Sequence, residues 1–180
     1  MNHPQFPLSP EDKNLIKLLK RKLHDLGGIG LAAPQVNYPK QIVALYIPEE
    51  AKLLRDGVKT YPLHILINPS YKPLPGSAMN YDFESCYSVD SKAGKVPRYN
   101  QIKVSYYDES GKHYTQIESG FYARSLQHEI DHLNGILIID RLKPDCIQGT
   151  IKEMMTLRRA ELSPEKRELF DQVMARKLKK

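Results

Sequence analysis

The order of the elements that the sequence predicts indicates an α+β fold. Runs rich in β-branched and aromatic residues lie at 41–47, 63–67 and 101–118, and helical patterns occupy most of the chain after residue 120. A further amphipathic helix precedes the strands. Because strands and helices are segregated, we expect antiparallel or mixed sheets packed around one central helix, with N-terminal and C-terminal helices.

The N-terminal helix is predicted over Pro10–Leu26. Ser9 is a typical N-cap, the proline after it suits the first helical position, and the leucines of this segment recur on one helical face. Gly27 ends the helix, since glycine tolerates the left-handed conformation found at helix C-termini.

Strands are predicted for QIVALYI at 41–47, LHILI at 63–67, QIKVSYY at 101–107 and KHYTQIE at 112–118. The pair Asn68-Pro69 is expected to end the second strand, and a Gly-containing loop makes the last two a hairpin. The polar stretch between the first two strands, within 46–64, is expected to be a surface excursion.

The last third of the chain is predicted to be mostly helical. The central helix runs over Phe121–Asn134, closed by Gly135, and a short strand is expected at 136–139. Two helices then follow within 147–162 and 163–180.

Composition limits the function classes. We expect one domain over 1–180, because 180 residues with 41% hydrophobic content suffice for one core. No apolar tract is long enough to cross a bilayer, so no membrane partner is expected. Two cysteines indicate a reducing compartment, and the cytoplasm is the expected location. A net charge of +6 favours a polyanionic neighbour, but no sequence-specific nucleic-acid partner is predicted.

The segment Ser125–Gly135, SLQHEIDHLNG, contains an HExxH pattern. His128 and His132 lie one helical turn apart on one face, where two imidazoles can reach one cation. Glu129 stands where it can hydrogen-bond a water on that cation. A solvated histidine pair is the alternative, and it fits poorly because the helix has little circumference that is plainly polar.

The pattern alone leaves the third metal ligand open. A histidine ten residues after His128 would indicate a metzincin, but that position holds Ile138. Glu153 would be the ligand in a gluzincin-like peptidase. The remaining donors are two cysteines, Cys86 and Cys146.

Three separated motifs resemble those of the peptide deformylase family, in the family's order. GIGLAAPQ at 28–35 and QHEIDHLNG at 127–135 match throughout, and VPR at 96–98 is a further family-like piece. The second motif, ESCYS at 84–88, carries Ser85 where the family has glycine. A serine there matters if the position needs positive φ or must leave room for the substrate backbone.

The resemblance implies a metal-dependent hydrolase that removes the N-formyl group from formylmethionyl nascent peptides. Its implied metal ligands are Cys86, His128 and His132, around one divalent cation, Fe²⁺ in the cell and Zn²⁺, Ni²⁺ or Co²⁺ in purified samples. Glu129 is the implied general base, and the Gln35 side chain and the Tyr87 backbone N–H would stabilise the formyl oxygen.

The resemblance also implies residues around this centre. Those expected to contact substrate are Gly28, Ile29, Gly30, Leu126 and Ile130, although core packing explains Leu126 and Ile130 equally well. Glu84, Arg98 and Asp131 are expected to orient the ligands, with surface ion pairs as the alternative.

The helix at 163–180 carries six Lys or Arg and three acidic residues, and in the family a C-terminal helix is implicated in ribosome binding. A solvated basic helix is the alternative for this segment. Two other functions stay open from the sequence: an HExxH metallopeptidase and an inactive deformylase-like binding protein.

Overall fold

The computed structural model describes residues 1–178, and within them it contains six α-helices, eight strands and one short 3₁₀ turn. The helices are α1 Pro10–Leu26, α2 Ala51–Leu54, α3 Gly120–Leu133, α4 Ile138–Arg141, α5 Ile151–Glu161 and α6 Pro164–Leu178. The strands are β1 Gly30–Ala32, β2 Ile42–Ile47, β3 Tyr61–Pro73, β4 Met79–Cys86, β5 Val89–Tyr99, β6 Gln101–Tyr107, β7 His113–Ser119 and β8 Gln148–Gly149. The 3₁₀ turn is Ala33–Val36.

The strands form two antiparallel sheets, which confirms the predicted α+β class. The larger sheet has the order β1-β2-β3-β6-β7, and the smaller one has the order β4-β5-β8. The β6–β7 hairpin follows the prediction, with Tyr107 paired to His113 across the turn. In the larger sheet β1 is an edge strand, so one side of its backbone is free to pair with an added chain.

The predicted central helix is α3. Most of its side chains are buried, and those facing the larger sheet, including Leu126 and Ile130, join the main core. Gly120 begins this helix at φ 67° and Gly135 follows it at φ 73°, so glycines at both ends adopt a conformation that a side chain would strain. The helix therefore lies between layers, as its non-polar circumference predicts.

Helix α1 has the predicted bounds. The Ser9 hydroxyl accepts a hydrogen bond from the Asp12 N–H at 3.1 Å, and Gly27 adopts the left-handed conformation at φ 64°. Its buried face packs on the opposite side of β2 and β3 from α3. Leu26, one of the leucines expected on the buried face, is 47% exposed, whereas Ile16 is buried in that face.

The prediction that Asn68-Pro69 ends a strand is wrong. Strand β3 continues to Pro73, and its register against β6 shifts between Ile67 and Ser70. Asn68 adopts φ 50° there. The irregularity absorbs the proline, because the residues inside the shift do not need to donate in register.

The strand predicted at 136–139 is also wrong. Ile138 instead begins α4, and the Leu137 N–H donates to the Asp140 carboxylate at 2.8 Å. Ile138 is buried against Val96 of the smaller sheet. A single turn of helix buries this isoleucine without a neighbouring strand to pair with.

Both C-terminal helices pack onto the structure. Helix α5 contacts β5, and α6 contacts α2, which lies in the surface excursion between β2 and β3. Lys166 pairs with Asp56 at 3.0 Å and Arg176 with Glu50 at 2.9 Å, so two ion pairs join α6 to this excursion. Among the helices within residues 1–178, none is both long and apolar enough to pass through a bilayer.

Candidate metal centre

Cys86 meets the two HExxH histidines at the junction of the sheets. It is the last residue of β4, and His128 and His132 project from α3. The Cys86 Sγ lies 3.1 Å from the His132 Nε2, and one ligand atom from each of the three residues lies within 4.8 Å of the others. The structure therefore brings a thiol and two imidazoles to one point.

The electrostatics of the cluster favour a thiolate. Burial opposes ionisation of Cys86, but hydrogen bonds with His128 and His132 outweigh it and lower the pKa of the thiol to about 5. Burial likewise opposes the charge on His128, and Cys86 and Glu84 raise the pKa of this imidazole to about 10. A thiolate with two imidazoles is a donor set for a borderline divalent cation, and three protein ligands leave a coordination position open.

The other candidate ligands lie elsewhere. Glu153 is exposed and accepts a hydrogen bond from the Thr150 hydroxyl at 3.0 Å, at the start of α5. Cys146 packs with the apolar residues around α4. Neither joins the histidines, so Glu153 does not complete a gluzincin-like site.

Glu129 lies beside the cluster in a closely fitted position. Its carboxylate is 3.9 Å from the His128 Nε2, and its Oε2 is buried with no hydrogen-bond partner among residues 1–178. Burial raises the pKa of this carboxyl, while the two histidines oppose the rise. A Cβ on Gly30 would lie 2.5 Å from the Glu129 Oε1, so only glycine leaves room for this side chain.

Gln35 points its amide nitrogen at the cluster. The Ala32 N–H donates to its Oε1 at 2.8 Å, which fixes which end of the amide faces outward. The Nε2 then lies 3.2 Å from the Ser88 hydroxyl and 3.9 Å from the Cys86 Sγ. The donor end of this glutamine is therefore already directed towards the site.

Tyr87 occupies the first position of the two-residue turn between β4 and β5. The residue is 54% exposed, and its side chain extends over Gly28, where an added Cβ would lie 2.4 Å from the phenolic oxygen. The backbone of Tyr87 thus lies beside Cys86, and its side chain bridges the first and second motifs.

A buried carboxylate orients His128. The Glu84 Oε1 accepts a hydrogen bond from the His128 Nδ1 at 2.6 Å, which leaves the Nε2 directed at the cluster. Arg98 donates to both oxygens of Glu84, at 2.9 and 3.0 Å, and Arg124 also pairs with it. Despite burial, the hydrogen bonds from His128 and Arg98 hold the pKa of Glu84 well below its usual range.

Asp131 belongs to the same network. It accepts a hydrogen bond from Arg98 at 2.6 Å, from the Tyr71 hydroxyl at 2.8 Å and from Arg141 at 3.0 Å. The side chains of Arg98 and Asp131 are each 3% exposed, which excludes the surface ion pair considered from the sequence.

Sequence reasoning missed three members of this network. Arg124 had a usable signal, because it lies one turn before His128 on the same face of α3. Tyr71 and Arg141 have no local signal, since only the fold brings β3 and α4 to Asp131.

A cavity of about 730 Å³ adjoins the cluster. Gly28, Ile29 and Gly30 line it, as the motif resemblance implies. Leu126 and Ile130 do not line it, and their place in the main core favours the packing alternative. The far wall comes from α5 and α6 and includes Ile151, Met154, Met155, Arg158, Phe170, Val173, Met174 and Arg176.

Ser85 lines the same cavity from β4. It is exposed and is absent from the non-glycine residues with positive φ, which within residues 1–178 are Asn37, Asn68 and Ser91. The backbone conformation at residue 85 therefore does not require glycine. A serine differs from glycine here in the space that its side chain occupies in the cavity.

Comparison with known proteins gives concordant results. The sequence model of the polypeptide deformylase family matches residues 2–147. Peptide deformylase 2 of Rickettsia conorii is 40% identical over 164 residues, covering 89% of this chain and 80% of that protein. The Met-Ala-Ser-bound structure of the Acinetobacter baumannii class I type b enzyme is 28% identical with a TM-score of 0.68, covering 78% of this chain and 88% of that one. A Plasmodium falciparum peptide deformylase is 27% identical with a TM-score of 0.63, covering 94% of this chain and 91% of that one.

Proposed function

Because the chain belongs to the polypeptide deformylase family, whose members remove the N-formyl group from nascent polypeptides, we propose that the cluster of Cys86, His128 and His132 is its catalytic centre. The reaction is hydrolysis of the amide bond between the formyl carbon and the methionine nitrogen, which releases formate and a free amino terminus. The observation that carries this proposal is the convergence of the three ligand atoms within 4.8 Å beside the buried Glu129.

We propose that Cys86, His128 and His132 hold one divalent cation, in keeping with the metal dependence of the family. Fe²⁺ is the cation proposed in the cell, and Zn²⁺, Ni²⁺ or Co²⁺ would occupy the same donors in a purified sample. When bound, the cation supplies Lewis acidity to the attacking water and to the formyl carbonyl.

Glu129 is the proposed general base and acid. Its free, buried oxygen can take the proton from the attacking water and return it to the departing amine nitrogen. The burial that raises its pKa brings this carboxyl closer to the pH at which it must both gain and lose a proton.

Two donors are proposed for the negative charge that develops on the formyl oxygen. The Gln35 amide is held towards the centre by the Ala32 N–H, and the Tyr87 N–H adjoins the ligand Cys86. Donors that are in place before the reaction need no reorganisation at the transition state.

Glu84, Arg98 and Asp131 are proposed to fix the ligand geometry. Glu84 holds the His128 ring by its Nδ1, and Arg98 joins Glu84 to Asp131. Such partners orient ligand rings and keep the required tautomer.

The substrate is proposed to bind as an added strand along Gly28–Gly30. Strand β1 is at the edge of its sheet, and these residues line the cavity. An extended peptide can hydrogen-bond to this edge through its main chain. Such binding recognises the peptide backbone and is largely independent of the side chains. The Met-Ala-Ser bound by the Acinetobacter enzyme supports a short peptide as the ligand.

The test is formate release from formyl-Met-Ala-Ser by protein reconstituted with Fe²⁺ or Ni²⁺ under reducing conditions. We expect turnover that depends on added metal. Absence of formate from correctly folded, metal-loaded protein would refute the proposal and would leave a binding role for the cavity.

We further propose that the basic end of α6 contacts the ribosome. The support is charge attraction to RNA phosphates. Lys166 and Arg176 already pair with Asp56 and Glu50, and the side chains of residues 177–180, three of them Lys, lie outside the described part of the chain. Deleting residues 177–180 should weaken co-sedimentation with ribosomes at low salt, and unchanged co-sedimentation would refute it.

The proposed compartment is the cytoplasm. Cys86 and Cys146 are both free thiols, and the proposed ligand Cys86 must stay reduced to bind metal.

A further inference from the structure

The wall of the cavity formed by α5 carries a guanidinium that has no counter-ion among the described residues. Arg158 is half-buried, lines the cavity and lies over the Phe170 ring, 5.9 Å from its centroid. Burial alone lowers the pKa of this guanidinium, and no opposite charge within residues 1–178 offsets that effect. A half-buried charge without a partner is costly for the folded protein.

A second cation lines the same cavity. Arg55 stacks on Phe121 at 4.6 Å and is paired with Asp82. Burial and then the charge of Arg158 lower the pKa of Arg55, so the two guanidiniums are near enough to repel each other. An anion bound at Arg158 would relieve this repulsion.

The carboxylates around the cavity do not supply that anion. Glu84 is held by Arg98, Arg124 and His128, and Glu129 lies beside His128 at 3.9 Å. Glu50 pairs with Arg176.

Asp90 also lines the cavity, but it is exposed and forms no ion pair with any cation of the described residues. Within residues 1–178 no carboxylate that lines the cavity pairs with Arg158, so its guanidinium is open to an anion that enters the cavity.

We infer that Arg158 binds a carboxylate side chain of the peptide substrate, so that the enzyme favours chains with Asp or Glu shortly after the formylmethionine. This inference rests on the proposed function, because the peptide must enter the cavity along β1. The cavity is continuous from Glu129 to Arg158, and a guanidinium can hold a carboxylate by two parallel hydrogen bonds.

The test compares C-terminally amidated peptides with Glu or Lys at the second or third residue, formyl-Met-Glu-Ser, formyl-Met-Lys-Ser, formyl-Met-Ala-Glu and formyl-Met-Ala-Lys. We expect kcat/KM for one Glu peptide to exceed that for its Lys counterpart about tenfold, the scale of one charge-assisted hydrogen bond. The ratio should fall to about one in Arg158→Met and recover in part in Arg158→Lys.

Equal kcat/KM values for Glu and Lys peptides in the wild-type protein would overturn the inference, even if the methionine variant does not fold. Hydrolysis of neutral formyl-Met-Ala-Ser-amide reports on the reaction itself. Loss of that activity in the wild-type protein would count against the proposed function, so the two failures are distinguishable.

The matched control is Lys152→Gln, which removes one exposed positive charge from the same helix. It should keep the Glu preference, and loss of the preference there would show a general field effect and overturn the assignment to Arg158.

Calorimetric binding of the products gives a second readout that needs no turnover. Met-Ala-Glu-amide should bind the wild-type protein more tightly than Met-Ala-Lys-amide, and equally in Arg158→Met. If the two amides bind equally and a peptide with a free C-terminal carboxylate binds more tightly than its amide, the site recognises the chain terminus. That result would refute recognition of the side chain.

Discussion

Single atoms decide how the proposed centre is assembled. The Gly30 position has no room for a Cβ, because Glu129 fills that space, and the Ala32 N–H sets which end of Gln35 faces the cluster. The Glu129 carboxylate has one oxygen, Oε2, with no hydrogen-bond partner among the described residues. The hydrogen bond to Gln35 stabilises the folded protein, whereas the buried Glu129 oxygen without a partner costs it free energy.

Substitution of Glu129, the proposed general base, should separate metal binding from turnover. Glu129→Gln is expected to keep stoichiometric metal and to lower kcat by about 10²- to 10⁴-fold, the usual contribution of a positioned base. Metal content by mass spectrometry and formate release are the measurements. Since the Glu129 Oε2 is buried without a partner in the part of the chain that the structure describes, the thermal midpoint should not fall.

The ligand substitutions Cys86→Ser and His132→Ala provide the contrast. Both are expected to lose stoichiometric metal, because each removes one of the three proposed protein donors. Retained metal in both variants, after the same purification, would contradict the assigned ligand set.

The serine in the second motif is expected to be nearly neutral. Ser85 has no positive φ and lies exposed in β4, so Ser85→Gly should change kcat/KM less than about threefold and lower stability by about 0.5–1 kcal/mol, the usual cost of glycine in a strand. Steady-state kinetics and urea unfolding check the two parts. A large gain in kcat/KM would show that the hydroxymethyl group crowds the substrate.

At the scale of elements, α3 and the β4–β5 hairpin are joined by charge. Arg98 on β5 contacts Glu84 on β4 and Asp131 on α3, and all three side chains are at most 8% exposed. A buried network of this kind is strongly destabilised when one member is removed and its partners stay charged.

Arg98→Met should therefore lower the free energy of unfolding by about 3 kcal/mol. Chemical denaturation followed by circular dichroism is the measurement. Arg159→Met is the matched control, because Arg159 also donates two hydrogen bonds to a carboxylate, that of Asp171, but this pair is exposed at the surface. The control should unfold at nearly the wild-type midpoint, and equal losses in both variants would contradict the burial argument.

Helix α6 is expected to depend on one aromatic contact. Phe170 is 4% exposed, and Phe170→Ala should weaken docking by about 3 kcal/mol, which raises the undocked population about 100-fold. Trypsin should then cleave within α6 much faster, while cleavage elsewhere is unchanged. The exposed neighbour Gln172→Ala should leave the cleavage rate as it is.

Elements with strong local signals were predictable from the sequence, and the others depend on distant partners. Ser9 and Gly27 fix both ends of α1, and the histidine spacing identifies α3. Strands β4 and β5 escaped prediction because only Phe83 of β4 is buried and β5 contains Gly94 and Pro97, residue types that are unfavourable in strands. The order of the motifs indicated Cys86 by resemblance alone, whereas its 3.1 Å contact with His132 depends on how the two sheets meet.

At the scale of the whole molecule, the proposed metal site spans both sheets. Cys86 comes from the smaller sheet, while the histidines come from the helix that packs on the larger one. A cation bound to all three would therefore be a cross-link between parts of the chain that are far apart in sequence, and binding would stabilise the folded state.

Chelation of the metal should lower the melting temperature. Saturation at about 100 times the dissociation constant contributes about 2.7 kcal/mol. For a chain of this length that corresponds to about 5–10 °C. Differential scanning fluorimetry with and without chelator measures it, and Cys86→Ser should show no chelator-dependent shift. An unchanged melting temperature in the metal-loaded wild-type protein would argue against cross-linking.

The cavity wall built by α5 and α6 bears on the design of selective inhibitors. A compound that fills only the metal end would meet Cys86, His128 and Glu129, which lie inside the stretch matched by the family. A compound extended to Phe170 and Arg158 would reach residues beyond that stretch. An acidic tail on a metal-chelating head group should therefore discriminate this enzyme from relatives with a different C-terminal segment, and potency against Arg158→Met would report how much of the discrimination comes from that end.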